Sequence, residues 1–475
     1  LSITPTVSEL YRMLARLLIL ALLPLSVYAQ GGAPTAPAQQ PEGSAGARPT
    51  PAQVGEAIAS VDDVSRLLQL AGELQQQGDL DSELLVWQRL IALRPHTGLY
   101  MYEMAAVLAQ QDRKSETYNT LLELHATGFS YDPSVDDRFS KVSTTEVWNY
   151  IVGVLKKNGE PVGPGRVAMT LPKDDLLIES LTFDRSRGQL LVGSVREGSV
   201  SLVGSDGTLK PLVTANDENG MWGVFGVGVD VERGFLWVAS TAVPHFKGYD
   251  AEADLGKAGV FKFRLSDGKF IKSFLSPVIS GSPFSMTYVT VANDGAVYVA
   301  DAINNALYQI RDDTFTRILH APTLTSIRAL ATSDDSKILY FADSERGVFG
   351  FDLAAAKAFD IAVPPRTSLF GIEGMTYLDG HLLVVQNGLP TNRIQRLALD
   401  ASGRNVVKAD PISVGRTDLT MPAGATLNSD GEVLLIGNSQ RDKYDRFGLP
   451  RNKDALEGAK IFSIRADSGM QAAEM

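Results

Sequence analysis

The sequence predicts a multidomain protein, an all-β six-bladed propeller preceded by a small all-α helical domain. Three observations carry this. Over about 165–466 one strand-and-turn pattern recurs six times. Over about 56–157 the apolar residues recur at helical spacing. Between them lies the Pro- and Gly-rich stretch NGEPVGPG at 158–165, where the periodicity changes from helical to alternating.

Taken in chain order, residues 13–29 read MLARLLILALLPLSVYA: Arg16 is the cationic start, an apolar run follows, and Val27-Tyr28-Ala29 is an A-x-A-like cleavage site. This predicts a signal peptide over 1–29, with Met13 as the start and 1–12 an over-extended reading frame. The apolar run is shorter than the ~20 residues a spanning helix needs and Pro24 breaks it, so no membrane span is expected. The chain has no cysteine, which removes disulfides, thiolate metal sites and a cysteine nucleophile. The expected location is periplasmic or secreted. From 30 to 55 Ala, Pro, Gly and Gln dominate and large apolar residues are scarce, which predicts a disordered linker.

Helical signals begin near Ser60. In LLQLAGELQQQGDLDSELLVWQRLIALRP, Gly78 separates two helical stretches and Pro95 closes the second. An offset of 34 residues maps Ala71 to Ala105, Leu74 to Leu108, Leu84 to Tyr118, Trp87 to Leu121 and Leu90 to Leu124. A helical hairpin with that period resembles the tetratricopeptide repeat. A degenerate hairpin over 128–157, with Phe139, Val142, Val147, Trp148 and Ile151 turned inward, is expected to cap the stack.

The six repeated runs are LLVGSV at 190, LWVAST at 236, VYVADA at 297, LYFADS at 339, LVVQNG at 383 and LLIGNS at 434. Turn residues precede most of them and a further strand follows each, so a repeat of ~40–50 residues with four strands reads as a propeller blade. Taking Ser194, Ser240, Asp301, Asp343, Asn387 and Asn438 as equivalent, the spacings are 46, 61, 42, 44 and 51. The 61 predicts an insertion at 245–259 between the second and third strands of blade two. GRVAMTLP at 165–172 is a lone strand, while blade six ends at its third strand near Arg465. The lone strand is therefore expected to complete blade six and hide its edge. The tail begins at 467.

LYFADSERGVFGFDL, GIEGMTYLDGHLLVVQN and MPAGATLNSDGEVLLIGNS resemble the gluconolactonase and senescence-marker-protein (regucalcin-like) propellers. That resemblance implies a divalent metal at the channel, held by carboxylate and amide side chains, because a hard cation such as calcium needs several converging oxygens. It also implies lactone hydrolysis by metal polarisation of the ester. On the matching positions it implies Glu179 in blade one and Glu373 in blade five as metal ligands. The amide positions depart from the pattern: Arg328 in blade four, Ala423 in blade six, and a position near Ser285 in blade three. A guanidinium in a ring with two glutamates would stand where a metal cation would. Arg328 is therefore expected to point inward and touch at least one glutamate. Trp222 and Phe225 are placed near the channel mouth, either against a ligand or in blade packing.

Composition is ordinary, at 44% hydrophobic and 21% charged. A net charge of −11 without a basic stripe argues against nucleic acid as a partner. The five histidines form no close metal-ligand pair, and His245 and His320 are placed on surface loops. Asn216, Asp217 and Glu218 read as a solvated turn. The leading expectation is an exported module that binds a protein or small-molecule ligand at the channel mouth and helical groove, with no cofactor. The alternative is a calcium-dependent lactonase centred on Glu179 and Glu373.

Overall fold

The computed structural model of the chain describes residues 51–279 and 281–467, so the leader, most of the linker and the tail beyond Asp467 lie outside the described residues. The chain divides after Val61 into two compact units. The first contributes one described helix, α1 (Pro51–Ala59), which begins inside the stretch expected to be a linker.

The second unit opens with five helices. The hairpin α2 (Val64–Gln77) and α3 (Leu80–Leu93) is punctuated by side chains. Asp63 caps α2 by accepting from Arg66 N at 3.1 Å, Gly78 ends it at a left-handed φ of 70°, and Asp79 caps α3 through Ser82 N at 3.1 Å. α4 (Gly98–Gln110) and α5 (Lys114–Ala126) repeat the hairpin. Ala71 and Ala105 are fully buried, as are Leu90 and Leu124, so the 34-residue register is a packing register. In the third hairpin two 3₁₀ turns, Pro133–Val135 and Asp137–Phe139, stand in for the first helix, because Asp132 and Asp136 hold the amides of Ser134 and Arg138 locally. α6 (Glu146–Lys157) closes the stack. Phe139, Val142, Trp148 and Ile151 are buried as expected, but Val147 faces outward and is 50% exposed. One residue from Trp148 around the helix, it falls on the solvent side of the apolar stripe.

Among the described residues twenty-four strands form six four-stranded antiparallel sheets. Blades one to five are β2–β5, β6–β9, β10–β13, β14–β17 and β18–β21, and blade six is β22, β23 and β24 completed by β1 (Arg166–Thr170). β1 pairs antiparallel with β24 (Lys460–Arg465), which closes the ring as the lone strand predicted. The second strand of each blade is buried on both faces. In β15 (Ile338–Asp343), Leu339 and Phe341 pack against Tyr298 and Leu307 of blade three, while Tyr340 and Ala342 pack against Met375 and Leu382 of blade five. Six clusters of this kind, one per pair of neighbouring blades, make up the core. At about 1.5–3 kcal/mol per large apolar side chain buried, this is why the second strands read as continuous apolar runs.

The innermost strands β2 (Ile178–Asp184), β6 (Gly223–Asp230), β10 (Met286–Val291), β14 (Ile327–Thr332), β18 (Ile372–Leu378) and β22 (Ala423–Leu427) surround the axis. Each begins opposite the end of the second strand, as in Ile327 with Asp343 and Ile372 with Gln386, so the loops leaving the second strands share the face on which the inner strands start. The helices dock on that face over blades four and five. Arg94 Nε meets Glu345 Oε2 at 2.9 Å, Ser368 Oγ donates to His96 O at 2.9 Å, and Arg393, the first residue of β20 (Arg393–Leu399), donates to Thr127 O and Gly128 O at 3.4 and 3.5 Å. The last two carbonyls end α5, where a cation suits the helix dipole. The blade-two insertion, 242–257, leaves between β7 (Phe235–Thr241) and β8 (Ala258–Arg264), between the second and third strands as expected.

Candidate functional site at the channel mouth

In five of the blades a polar residue near the end of the repeated run is a clasp; in blade five it is Gln386, one place before the expected Asn387, and in blade six Asn438 instead donates to Gly458 O and accepts from Lys460 N at the start of β24. Ser240 Oγ accepts from Trp222 N at 2.8 Å, Asp301 Oδ1 from Ser285 N at 3.1 Å and Asp343 Oδ2 from Ser326 N at 2.8 Å, while Gln386 Nε2 donates to Phe370 O at 2.7 Å and Ser194 Oγ donates to Leu176 O. Each clasp pins the segment entering an inner strand. Immediately afterwards the inner strand carries a β-bulge, between Ile178 and Ser180, Val224 and Gly226, Met286 and Tyr288, Ile327 and Ala329, Ile372 and Gly374, and Ala423 and Thr426. A bulge re-aims the extra residue. The bulged positions are Glu179, Phe225, Thr287, Arg328, Glu373 and, in blade six, Gly424 with Ala425.

Two expected positions are thereby corrected. Trp222 and Ser285 are the clasped residues, two or three places ahead of the bulge. Trp222 is buried between blades one and two, with its ring 5.9 Å from that of Phe261, and Phe225 and Thr287 hold the bulge positions instead. In blade six the bulge lies past Ala423. Close to the axis there is little room: a Cβ on Gly374 would stand 2.4 Å from Gly424 O, so only glycine allows these strands to approach.

Glu179, Arg328 and Glu373 come together, and a fourth residue joins them. Arg441 lies on the 3₁₀ turn Arg441–Lys443 in the long loop 437–459 between β23 (Glu432–Ile436) and β24. Its Nε donates to Glu179 Oε2 at 3.0 Å, Nη2 meets the same oxygen, and Nη1 is 3.7 Å from Glu373 Oε2. Arg328 Nη1 lies 3.9 Å from Glu373 Oε2, and the Tyr288 hydroxyl donates to that oxygen at 3.5 Å. Arg441 thus bridges the two blades that flank blade six, whose own bulge position bears no side chain beyond Cα at Gly424. Its loop is anchored by the Tyr444 hydroxyl, which donates to Asp175 Oδ1 at 2.9 Å, and by Gln440 Nε2, which donates to Glu457 O at 2.8 Å.

The electrostatics favour charged arginines. Burial works against the charge on Arg441, but Glu179 and Glu373 outweigh it and hold its pKa above the ordinary range; Arg328 is raised in the same way, with burial opposed by Glu373 and Tyr288. Burial, then Glu373, pushes the Tyr288 phenol up to about 12, so it remains a donor at neutral pH. The glutamate side chains are 4% and 10% exposed at Glu179 and Glu373, while Arg328 and Arg441 keep 20% and 24%. Oε1 of Glu179 and Nε of Arg328 are buried without a hydrogen-bond partner, at a cost of about 1–3 kcal/mol each. Glu179 lines a cavity of about 60 Å³ together with Ser180, Phe225, Tyr288 and Met375 among others, and Arg328 does not border it. That is room for about four waters and far below the ~300 Å³ of an ordinary small-molecule pocket.

A calcium ion does not fit this ring. It needs six to eight oxygens, and the inward charges are two carboxylates already facing guanidinium groups, with Phe225, Thr287, Arg328 and glycine at the other bulges. Among the described residues no group of three or more His, Asp or Glu is placed to hold a metal.

The ring is two acids and two arginines.

No protein-family model matches the sequence, and no curated protein matches it. Solved structures similar to the chain include a gluconolactonase from Xanthomonas campestris, at 14% identity over 64% of this chain and 97% of that one, TM-score 0.41. A PQQ-bound aldose sugar dehydrogenase from Streptomyces coelicolor matches at 13% over 64% and 99%, TM-score 0.42. A calcium-binding regucalcin from Agrobacterium tumefaciens matches at 14% over 64% and 93%, TM-score 0.42.

The remaining candidates fall elsewhere. His245 is half-buried in the blade-two insertion, where its carbonyl accepts from Arg196 Nη1 at 2.8 Å and burial, with Arg196 and Arg441, lowers its pKa. His320 is exposed at the end of an outer strand. Asn216 Oδ1 accepts from Glu218 N and Asn219 N at 3.0 Å, a turn closed on itself. Among the described residues no helix is long and apolar enough to cross a membrane.

Proposed function

We propose that this protein is an exported binding module that holds a small ligand at the mouth of its propeller channel, and that it does not carry out calcium-dependent lactone hydrolysis. One observation carries the reading: the Arg441 guanidinium sits on Glu179 and spans to Glu373, the two carboxylates that the alternative reading needs as metal ligands. The helices over blades four and five and the long loops of blades two and six border the same face, which supports recognition there. The apolar leader-like stretch at 13–29 supports export, to the periplasm or outside the cell.

The test is a calcium titration of the full chain followed by thermal melting with and without chelator, alongside a lactone panel. The reading expects no calcium-dependent shift and no turnover. A shift that is abolished in Glu179→Ala, or hydrolysis of any lactone that chelator removes, overturns it.

A further inference from the structure

The helical stack ends on a face that is apolar and uncovered. α6, its last helix, buries Trp148, Ile151 and Leu155 against the rest. Its opposite side bears Val147 and Tyr150, 50% and 62% exposed, with Gly153 exposed and Val154 half-buried. A helical-repeat stack needs a polar outer face at its end, because no further repeat follows to cover an apolar one. Residues three and four apart share a helix face, so Glu146, Tyr150, Gly153 and Lys157 form one seam down the middle of the outer side, and Val147 and Val154 flank it on one edge.

The seam is complementary to its own reversal. Glu146 is the first residue of α6 and Lys157 the last, while Tyr150 is fifth from one end and Gly153 fifth from the other. Two copies of α6 laid antiparallel about a two-fold axis therefore place each Glu146 on the partner's Lys157 and each Tyr150 ring over the partner's Gly153. Each Val147 falls beside the partner's Val154 on the shared edge. Around Gly153 the space for that ring is open: apart from its chain neighbours and its own helix backbone, no atom lies within 4 Å of where a Cβ would stand. The charges are also free for the purpose. Lys156 is held by Asp132 at 3.2 Å, but among the described residues neither Glu146 nor Lys157 is in an ion pair. A parallel pairing would set Glu146 against Glu146 and crowd both propellers at one end, since the chain beyond Lys157 runs to blade five, where Val162 pairs with Val414. The antiparallel pair places the propellers at opposite ends of the helical layer and sets opposite helix-dipole ends together.

We propose that α6 docks on α6 of a second copy of this chain, forming a two-fold dimer. One helix from each copy is less than the ~20–30 residues a side of a stable interface, so the dimer is reversible, with a dissociation constant on the order of 10–100 μM. It is independent of what the channel mouth binds.

The experiment is analytical ultracentrifugation of the full chain over concentrations on the order of 1–300 μM, where the mean mass is expected to rise from one chain towards two. Gly153→Gln fills the space opposite Tyr150 with a better helix former, so it is expected to weaken association about tenfold or more while the melting temperature holds or rises. Glu146→Lys and Lys157→Glu are each expected to weaken it about threefold or more, and the double reversal to restore it. Gly153→Cys introduces a cysteine into a chain that has none, close to the two-fold axis, and is expected to cross-link two copies on oxidation; Val407→Cys, exposed on the propeller, is not. A chain that stays monomeric at every concentration overturns the inference and leaves the stripe to a different partner. Association unchanged in Gly153→Gln or in both single reversals, a double reversal that does not restore it, or equal cross-linking of the two cysteine variants also overturns it.

Discussion

Arg138 in the helical region and Arg328 in the channel have similar side-chain exposure, 19% and 20%, and opposite surroundings. Arg138 uses its whole fork: Nη1 reaches Glu103 Oε2 at 2.6 Å, Nη2 reaches Asp136 Oδ2 at 2.7 Å and Nε reaches Asp136 Oδ1 at 3.0 Å, while the Tyr102 hydroxyl donates to Asp136 at 3.0 Å. Arg328 approaches Glu373 only at 3.9 Å and leaves Nε idle. The first arrangement joins the 3₁₀ turn to α4 and is complete in itself. The second has the components of an ion pair without its hydrogen bonds, which is how a site differs from a strut.

The comparison can be broken by truncation. Arg138→Ala strands two buried carboxylates and is expected to cost about 3–5 kcal/mol in denaturant unfolding. Arg328→Met removes an unsatisfied donor, keeps the volume and leaves Glu373 beside Arg441, so a cost below about 1 kcal/mol is expected. Equal costs would refute the distinction. Arg441→Gln is intermediate. It removes the cation between Glu179 and Glu373, with about 2 kcal/mol lost in unfolding, and calcium is expected to leave its melting temperature unchanged because Arg328 still faces Glu373 and too few oxygens converge. A calcium-dependent rise in that variant would show that the Arg441 guanidinium alone keeps metal out.

The smallest effect is a pH dependence confined to the helix junction. Burial lowers the pKa of His96 below its ordinary 6.5, so the folded state disfavours the proton that the unfolded chain accepts. Its contribution is complete above about pH 6.5 and declines as pH falls through the lowered value. The ring arginines remain charged throughout that range. His96→Gln should flatten this part of the melting-temperature profile between pH 7.5 and 5; an unchanged slope would assign it to other groups.

The blades were legible because a strand buried on both faces leaves no choice of residue type: LYFAD can only be a middle strand once Leu339 and Tyr340 must each face a different neighbour. Glu179, Arg328 and Glu373 were legible because each follows an interpretable phrase. Thr287 and Gly424 were not, since a bulge adds one residue and counting back from the strand ends then slips, which is how Ser285 was selected; Phe225 was placed at the mouth together with Trp222, which packs between blades one and two instead. Arg441 was hidden for another reason. It reaches Glu179 across 262 residues of sequence from an irregular loop, where periodicity carries no information. The one available signal was the gap between LLIGNS and AKIFSIR, far longer than the three-residue link at the same place in blade four.

The pairing of β1 with β24 also has a consequence for synthesis. The strand that seals blade six is the first of the propeller to be made, and its partner is among the last residues of the described chain. Domains tend to fold as they emerge, so α2 to α6 are available early, while β1 waits beside them with an unpaired edge through the making of five blades. Until Lys460–Arg465 appears, the growing chain is an open fan, and a product cut short before that point has two exposed strand edges in place of a closed circle. Glu179 and Arg441 stand on either side of that seam, so the charged ring at the mouth is assembled only once the circle closes.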